Sequence, residues 1–265
     1  MLSSASPDQR RATLEGLRAA LSAGHRAASP EAFSLAEESI VRSGLGTLDV
    51  ALGGGFPRGV IATLEGLPGS GRSAVAARLL AQATSGGGLG AVIETPAGIE
   101  GSFYPPALAA AGVDLERLLV VRACDAQGVA RAADILLRSA AFGVVVMPSV
   151  VLRATVWTRL ASLTHRANAV LLALGLGASD ELRYFASLRI RLQASSACFA
   201  GESGPFCALA GTRIEATVLK HKRAPPGKRA EFLCTSFERA GVPYPDLRER
   251  KIGPASHRTA LHVIA

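Results

Sequence analysis

The sequence predicts an α/β fold: a mostly parallel sheet flanked by helices, extended by antiparallel C-terminal strands. Three observations carry this expectation. From Val60 to Leu174, short apolar runs alternate with helical stretches, the order that sets parallel strands between helices. A glycine-rich turn, Gly66-Leu67-Pro68-Gly69-Ser70-Gly71-Arg72-Ser73, joins the first of these strands to the first of these helices. After Leu188 the helical stretches give way to strand-like runs. The chain has 265 residues, 49% hydrophobic and 19% charged, which suits one sizeable core with small appendages. The expected division is an N-terminal helical arm and linker over 1–42, a core over 43–240 and a basic tail over 241–265.

The elements follow in order. Ser6-Pro7-Asp8 starts a helix, with a Ser cap, Pro in the first turn and an acid at the positive end. Leu14, Leu17 and Leu21 form one narrow stripe, fit to dock on this core or on another subunit, and Gly24 ends the helix. Residues 25–42 read as a linker, Ser43-Gly44-Leu45-Gly46 opens the compact part, and Gly53–Gly59 reads as a turn. Strands are expected at Val60–Glu65, Leu89–Glu94, Leu118–Arg122, Val144–Met147 and Val170–Leu174. Helices are expected at Ser73–Ser85, Tyr104–Ala111, Gln127–Ala140 and Thr155–Ala167. Leu188–Gln193, Arg213–His221 and Ala230–Cys234 read as antiparallel strands around a turn at Ala200–Pro205, and Gly175–Asp180 as a short turn. The tail from Pro243 is rich in Pro and Arg and poorly periodic.

The formal charge is +8, a balance that favours anionic partners. Residues 212–265 carry 11 Lys and Arg against 5 Asp and Glu, so most of the excess lies in the last fifth of the chain. Cys124, Cys198, Cys207 and Cys234 have no metal-binding spacing, and read as reduced structural thiols of a cytoplasmic protein. No metal site is expected from them. The longest apolar runs, 143–152 and 169–177, are too short to span a bilayer, and the first residues lack a secretory pattern.

The glycine-rich turn matches the spacing of a phosphate-binding loop, in which backbone N–H groups and a helix N-terminus surround an anion. Gly66, Gly69, Ser70, Gly71, Arg72 and Ser73 are the candidate nucleotide-binding residues. Arg72 stands where Lys is expected; it is longer and planar, so any phosphate contact has a different geometry. Ser73 keeps the hydroxyl normally offered to magnesium. The strand Val144–Met147 runs into Pro148-Ser149, without the carboxylate that holds magnesium in a phosphate-loop ATPase. Glu94 ends its strand and reads as a solvated acid, with water activation the lesser reading. No catalytic residue and no efficient ATPase are expected; ATP or ADP with magnesium remain the candidate ligands.

Further segments extend the pattern. Residues 43–55 (Ser-Gly-Leu-Gly-Thr-Leu-Asp-Val-Ala-Leu-Gly-Gly-Gly), the run from Glu181 to Arg189, and Thr217–Pro226 with Ala230-Glu231-Phe232 resemble, in the same order, segments of the RecA recombinase family. The resemblance covers roughly 43–240 and implies a RecA-like phosphate-loop core. In that family a catalytic Glu matches Pro96 and a magnesium-linked Asp matches Pro148. The γ-phosphate-sensing Asn-Gln pair falls at Leu172-Ala173 or Leu174-Gly175, without an amide. Both DNA-binding loops and the separate C-terminal domain are missing from the pattern. Lys220 and Lys222 match lysines that reach an ATP bound by the neighbouring subunit, which implies contact with a phosphate or an acidic surface; the alternative is a solvated basic edge.

A RecA-like core with these losses is similar to the ImuA family, the RecA-like (also called SulA-like) accessory proteins of the damage-inducible mutasome. That resemblance implies an SOS role in error-prone translesion DNA synthesis. The implied partners are ImuB (an inactive Y-family polymerase homologue), a DnaE-type error-prone polymerase, and RecA itself. Self-association through Leu14, Leu17 and Leu21 is implied by the packing of the RecA N-terminal helix on the next subunit.

A nucleic-acid-binding module is the competing class. Arg223, Lys228 and Arg229 form one basic cluster with the two lysines, and Arg248, Arg250, Lys251 and Arg258 another. Such clusters bind phosphate weakly and without sequence preference. Aromatic residues make up only 5% of the chain, with Tyr244 alone near the tail cluster, so stacking on single-stranded bases has little support. His165 and Ser149 lack partners at useful spacing and read as structural.

Overall fold

The central strands are runs of aliphatic residues without alternation, as strands covered on both faces require. In the computed structural model, which describes residues 40–96, 102–200, 208–235 and 248–251, they are β3 (Val60–Glu65), β6 (Phe142–Pro148) and β7 (Val170–Gly175). With β4 (Leu89–Glu94) and β5 (Leu118–Arg122) they form the parallel half of one sheet. β8 (Leu188–Ala200) runs parallel to β3, while β9 (Ala208–His221), β10 (Arg229–Thr235) and β11 (Arg248–Lys251) complete the antiparallel part. Among the described residues that sheet has nine strands, in the order β10-β9-β8-β3-β7-β6-β4-β5, with β11 beside β8.

Helices cover both faces. α1 (Gly46–Leu52), α2 (Arg72–Ser85) and α3 (Pro105–Ala110) bury Leu48, Leu79, Leu80 and Leu108 against one. α4 (Ala126–Arg138), α5 (Ala154–Arg166) and α6 (Asp180–Phe185) bury Val129, Trp157, Leu160 and Leu182 against the other. The expected layering is thus present, with β3 to β7 and α2 to α5 in their expected segments; α1 is an unexpected helix, and the helix expected from Ser6 to Gly24 lies outside the described residues. No helix among the described residues is long and apolar enough to cross a membrane.

Several short elements differ from expectation. Gly53–Gly59 is more than a turn: β2 (Phe56–Pro57) pairs with β1 (Ile40–Val41), so the end of the expected linker is built into the core. The turn expected up to Asp180 leads directly into α6, capped by the Ser179 hydroxyl accepting the Leu182 N–H. β8 and β9 run well beyond the expected strands, and β11 adds a piece of the tail to the sheet. These segments are too short to show a period; backbone pairing and the burial of Phe56 or Leu182 define them. Leu14, Leu17, Leu21, Cys207, Tyr244 and Arg258 lie outside the described residues.

The stretch opening at Ser43 also has a physical reason. The Asp49 carboxylate accepts the Ser43 N–H and hydroxyl at 2.9 and 2.7 Å and the Gly44 N–H at 3.1 Å. It pins the turn to its own helix, and Ser43 is buried.

Candidate functional site

The glycine-rich turn links the carboxyl end of β3 to α2, the crevice where open α/β sheets bind ligands. Its glycines are required by space. A Cβ on Gly66 would lie 2.4 Å from the Leu192 carbonyl oxygen and 2.6 Å from Ser70 Oγ. Gly71 has φ +92°, and a Cβ there would lie 2.9 Å from Ile214. Gly66, Gly69, Ser70, Gly71, Arg72 and Ser73 are therefore gathered in one loop, beside a cleft of about 360 Å³ whose far wall is Thr212, Ile214, Cys234 and Thr235. Arg72 and Ser70 are buried, while Ser73 is exposed.

This loop fits a phosphate group. α2 begins on Gly71 without a side-chain cap, so its first N–H groups face the loop. Ser70 Oγ is buried with no hydrogen-bond partner. Magnesium fits less well, because the neighbouring strand ends lack a free carboxylate. β6 ends in Pro148, and Ser149 Oγ donates to the Gly177 carbonyl at 3.2 Å. Leu172, Ala173 and Leu174 are buried in β7. Glu65, immediately before the loop, is held by Arg189, with Nε to Oε1 at 2.8 Å and Nη2 to Oε2 at 3.0 Å. The Thr63 hydroxyl donates to the same Oε1 at 2.9 Å. No group of His, Cys, Asp and Glu that could hold a metal occurs among the described residues.

The Glu65–Arg189 pair is missing from the sequence-based expectations. Its members are 124 residues apart, and the one visible signal is an acid ending an apolar strand. Glu94 is a correction. It is buried rather than solvated, accepts the Phe103 N–H at 2.7 Å, and stands 3.9 Å from Arg122. It closes the connection after β4, which β7 and β6 separate from β3 in the sheet.

The sheet separates the remaining candidates. Lys222 donates its N–H to Ser187, which in turn bonds Ile61 at the amino end of β3. That point lies about 16 Å along the strand from Gly66. Lys222 and the loop cannot grip one phosphate within a chain. Lys220 Nζ donates to the Arg183 and Tyr184 carbonyls at 2.7 and 3.0 Å, capping α6. Burial, then Lys222 and Arg189, hold its pKa below the usual lysine range. Lys222, Arg223, Lys228 and Arg229 are exposed on the β9–β10 hairpin, with Arg229 3.6 Å from Glu215. Arg248, Arg250 and Lys251 pair with Ser196–Phe199 at the far end of β8, about 30 Å away. Exposed His165 sits near the hairpin lysines, and Cys198 is buried.

Comparisons with known proteins agree with this architecture. The RecA N-terminal domain family matches residues 32–158. Protein RecA of Picosynechococcus sp. is 30% identical over 229 residues, covering 72% of this chain and 64% of that protein. The chain is similar to RecA over most of its length. Protein RecA of Corynebacterium diphtheriae is 39% identical over 113 residues, 42% of this chain and 29% of its own length. This RecA-like chain thus spans less than two thirds of the curated relatives it matches. In fold it is similar to the crystal structure of the RadB recombinase, with TM-score 0.58 and 19% identity, covering 74% of this chain and 97% of that one.

Proposed function

We propose that this RecA-like chain is a non-catalytic adaptor of the SOS mutasome, supporting error-prone translesion synthesis through protein–protein contacts. The observation that carries this reading is the state of the strand ends around the phosphate loop. The nearest acid, Glu65, is committed to Arg189, and β6 ends in Pro148 where a magnesium-holding carboxylate belongs. Phosphoryl transfer depends on charge placement, so such a site retains phosphate affinity and loses turnover.

The connections next to it favour protein partners. Only Ser149–Arg153 join β6 to α5 and Leu176–Ser179 join β7 to α6, where the RecA recombinase resemblance places DNA-binding loops. Leu67, Val151 and Leu176 are at least half exposed at these strand ends, an aliphatic surface suited to a protein. Resemblance to ImuA supplies the partners: ImuB, a DnaE-type polymerase and RecA. The test joins nucleotide thermal shift, phosphate release and co-purification from DNA-damaged cells. The expected result is a shift with ATP or ADP, background turnover, and recovery of the two polymerase-family proteins. Magnesium-dependent turnover abolished by Arg72→Ala overturns the non-catalytic part; absence of both polymerase-family proteins overturns the mutasome part.

A second reading, weak DNA binding, rests on the two basic clusters about 30 Å apart on the β8–β9 ladder, close enough for one duplex to bridge. Because β11 belongs to the sheet, charge substitution tests this more cleanly than deletion of the tail.

A further inference from the structure

The charge of the core is distributed unevenly in space. α4 and α5, side by side on the face away from the phosphate-loop helix, carry Arg131, Arg138, Arg159 and Arg166 against one carboxylate, Asp134. Between them lies a groove of about 640 Å³, with Leu137 and Leu163 below and Arg138, Arg159, Ser162 and Arg166 along it. Asp134 is shared: Arg138 Nη2 is 2.8 Å from its Oδ2, and Arg159 bonds both oxygens. The hydrogen bond from Arg159, opposed by some burial and helped by the charge of Arg138, holds its carboxyl below the usual range. One carboxylate cannot satisfy two guanidinium groups of five N–H donors each, and exposed Arg166 has no carboxylate partner among the described residues.

We propose that the α4–α5 groove docks an acidic, partly apolar segment of a partner protein. Guanidinium forks match carboxylates in paired hydrogen bonds, which fixes the sign of the partner. The apolar part of the lining fixes its class: Leu137, Ala140, Leu163 and Ala167 stand beside the arginines. A phosphate backbone gains nothing from those side chains, whereas a peptide alternating acids with leucines meets both the forks and the apolar lining. Placement in a last helical turn gives Arg138 and Arg166 a favourable contact with the helix dipoles. It does not account for Arg159 in mid-helix. The proposal is independent of whether the phosphate loop turns over nucleotide.

The test uses the full chain and two fluorescent probes, a short peptide of alternating Glu and Leu pairs and an oligothymidylate of equal formal charge, followed by anisotropy at low and physiological salt. The expected result is salt-sensitive peptide binding, weakened about tenfold by Arg166→Glu, the scale of one lost charged contact. Ala167→Asp in the groove lining weakens it further, Arg166→Lys retains part of it, and Lys228→Glu on the distant hairpin leaves it unchanged. Trp157 fluorescence checks that each variant is folded, and Arg166→Ala serves if the reversed charge unfolds the chain. Absence of peptide binding at low salt, or binding indifferent to Arg166, overturns the proposal. Preferential capture of the oligothymidylate through the same arginines also overturns it and makes the groove a nucleic-acid surface. Concentration-dependent self-association lost in Arg166→Glu overturns it in favour of a second copy.

Discussion

Replacing Arg189 by Met strands the Glu65 carboxylate at the mouth of the phosphate loop. The side chains are 5% and 16% exposed, and the pair is bidentate at 2.8 and 3.0 Å, so water replaces little of what the guanidinium supplies. Among the described residues, only the Thr63 hydroxyl remains as a donor to the acid. Breaking a buried pair by removing one partner costs about 3–5 kcal/mol, whereas replacing both partners by apolar residues is often neutral. Arg189→Met is expected near the lower end, ~3 kcal/mol, because the Arg side is partly solvated. Glu65→Leu/Arg189→Met is expected to return to within ~1 kcal/mol of the parent. Urea unfolding followed by the single tryptophan, Trp157, reads both values from the core. A loss of 3 kcal/mol moves the midpoint down by about 1–2 M. A single-variant loss below ~1 kcal/mol, or a double variant no better than the single, would show that the carboxylate is hydrated and refute the reasoning.

Gly66→Ala forces a Cβ onto a backbone oxygen and should cost ~2 kcal/mol or more, whereas Gly86→Ala, with open space around it, should be within about 1 kcal/mol of neutral; paired thermal melts check this contrast. His221 has its pKa held below the ordinary imidazole range by burial, then by Lys228 and Arg223, although the Leu52 backbone opposes this; its Nδ1 accepts the Arg223 N–H at 3.1 Å. With the folded pKa depressed, the unfolded chain binds more protons as pH falls below about 6.5, so stability should drop there, and His221→Gln should flatten that part of a urea midpoint-versus-pH curve. Reversing Arg223 and Lys228 together should lower the salt slope of any DNA affinity by about two, measured by anisotropy; an unchanged slope removes the hairpin from the interface.

Much of the fold was legible because the parallel strands are long apolar runs and the helices between them are amphipathic. Val60–Glu65 and Leu89–Glu94 were readable to the residue from the Gly and acid punctuation at their ends. The phosphate loop was legible for a related reason: a backbone that must approach Leu192 and turn with φ near +90° leaves few choices but Gly. The short elements were not. β1, β2, α6 and β11 gain order from pairing or burial against distant residues, which local spacing does not encode. Lys220, expected to meet a phosphate or an acidic surface or to lie on a solvated edge, caps a helix, because α6 ends beside β9.

By itself, the sequence determined the α/β layering, the position of the phosphate loop, and the missing carboxylate at Pro148, since each depends on residue type at a fixed place along the chain. Only the tertiary structure decided that Glu65 is bound to Arg189, that the lysines lie at the opposite end of β3 from the loop, and that Arg138, Arg159 and Arg166 line one groove between α4 and α5. Those facts depend on which segments the sheet brings side by side. Electrostatic energy falls with distance through space, and the sheet fixes that distance between charges far apart in sequence.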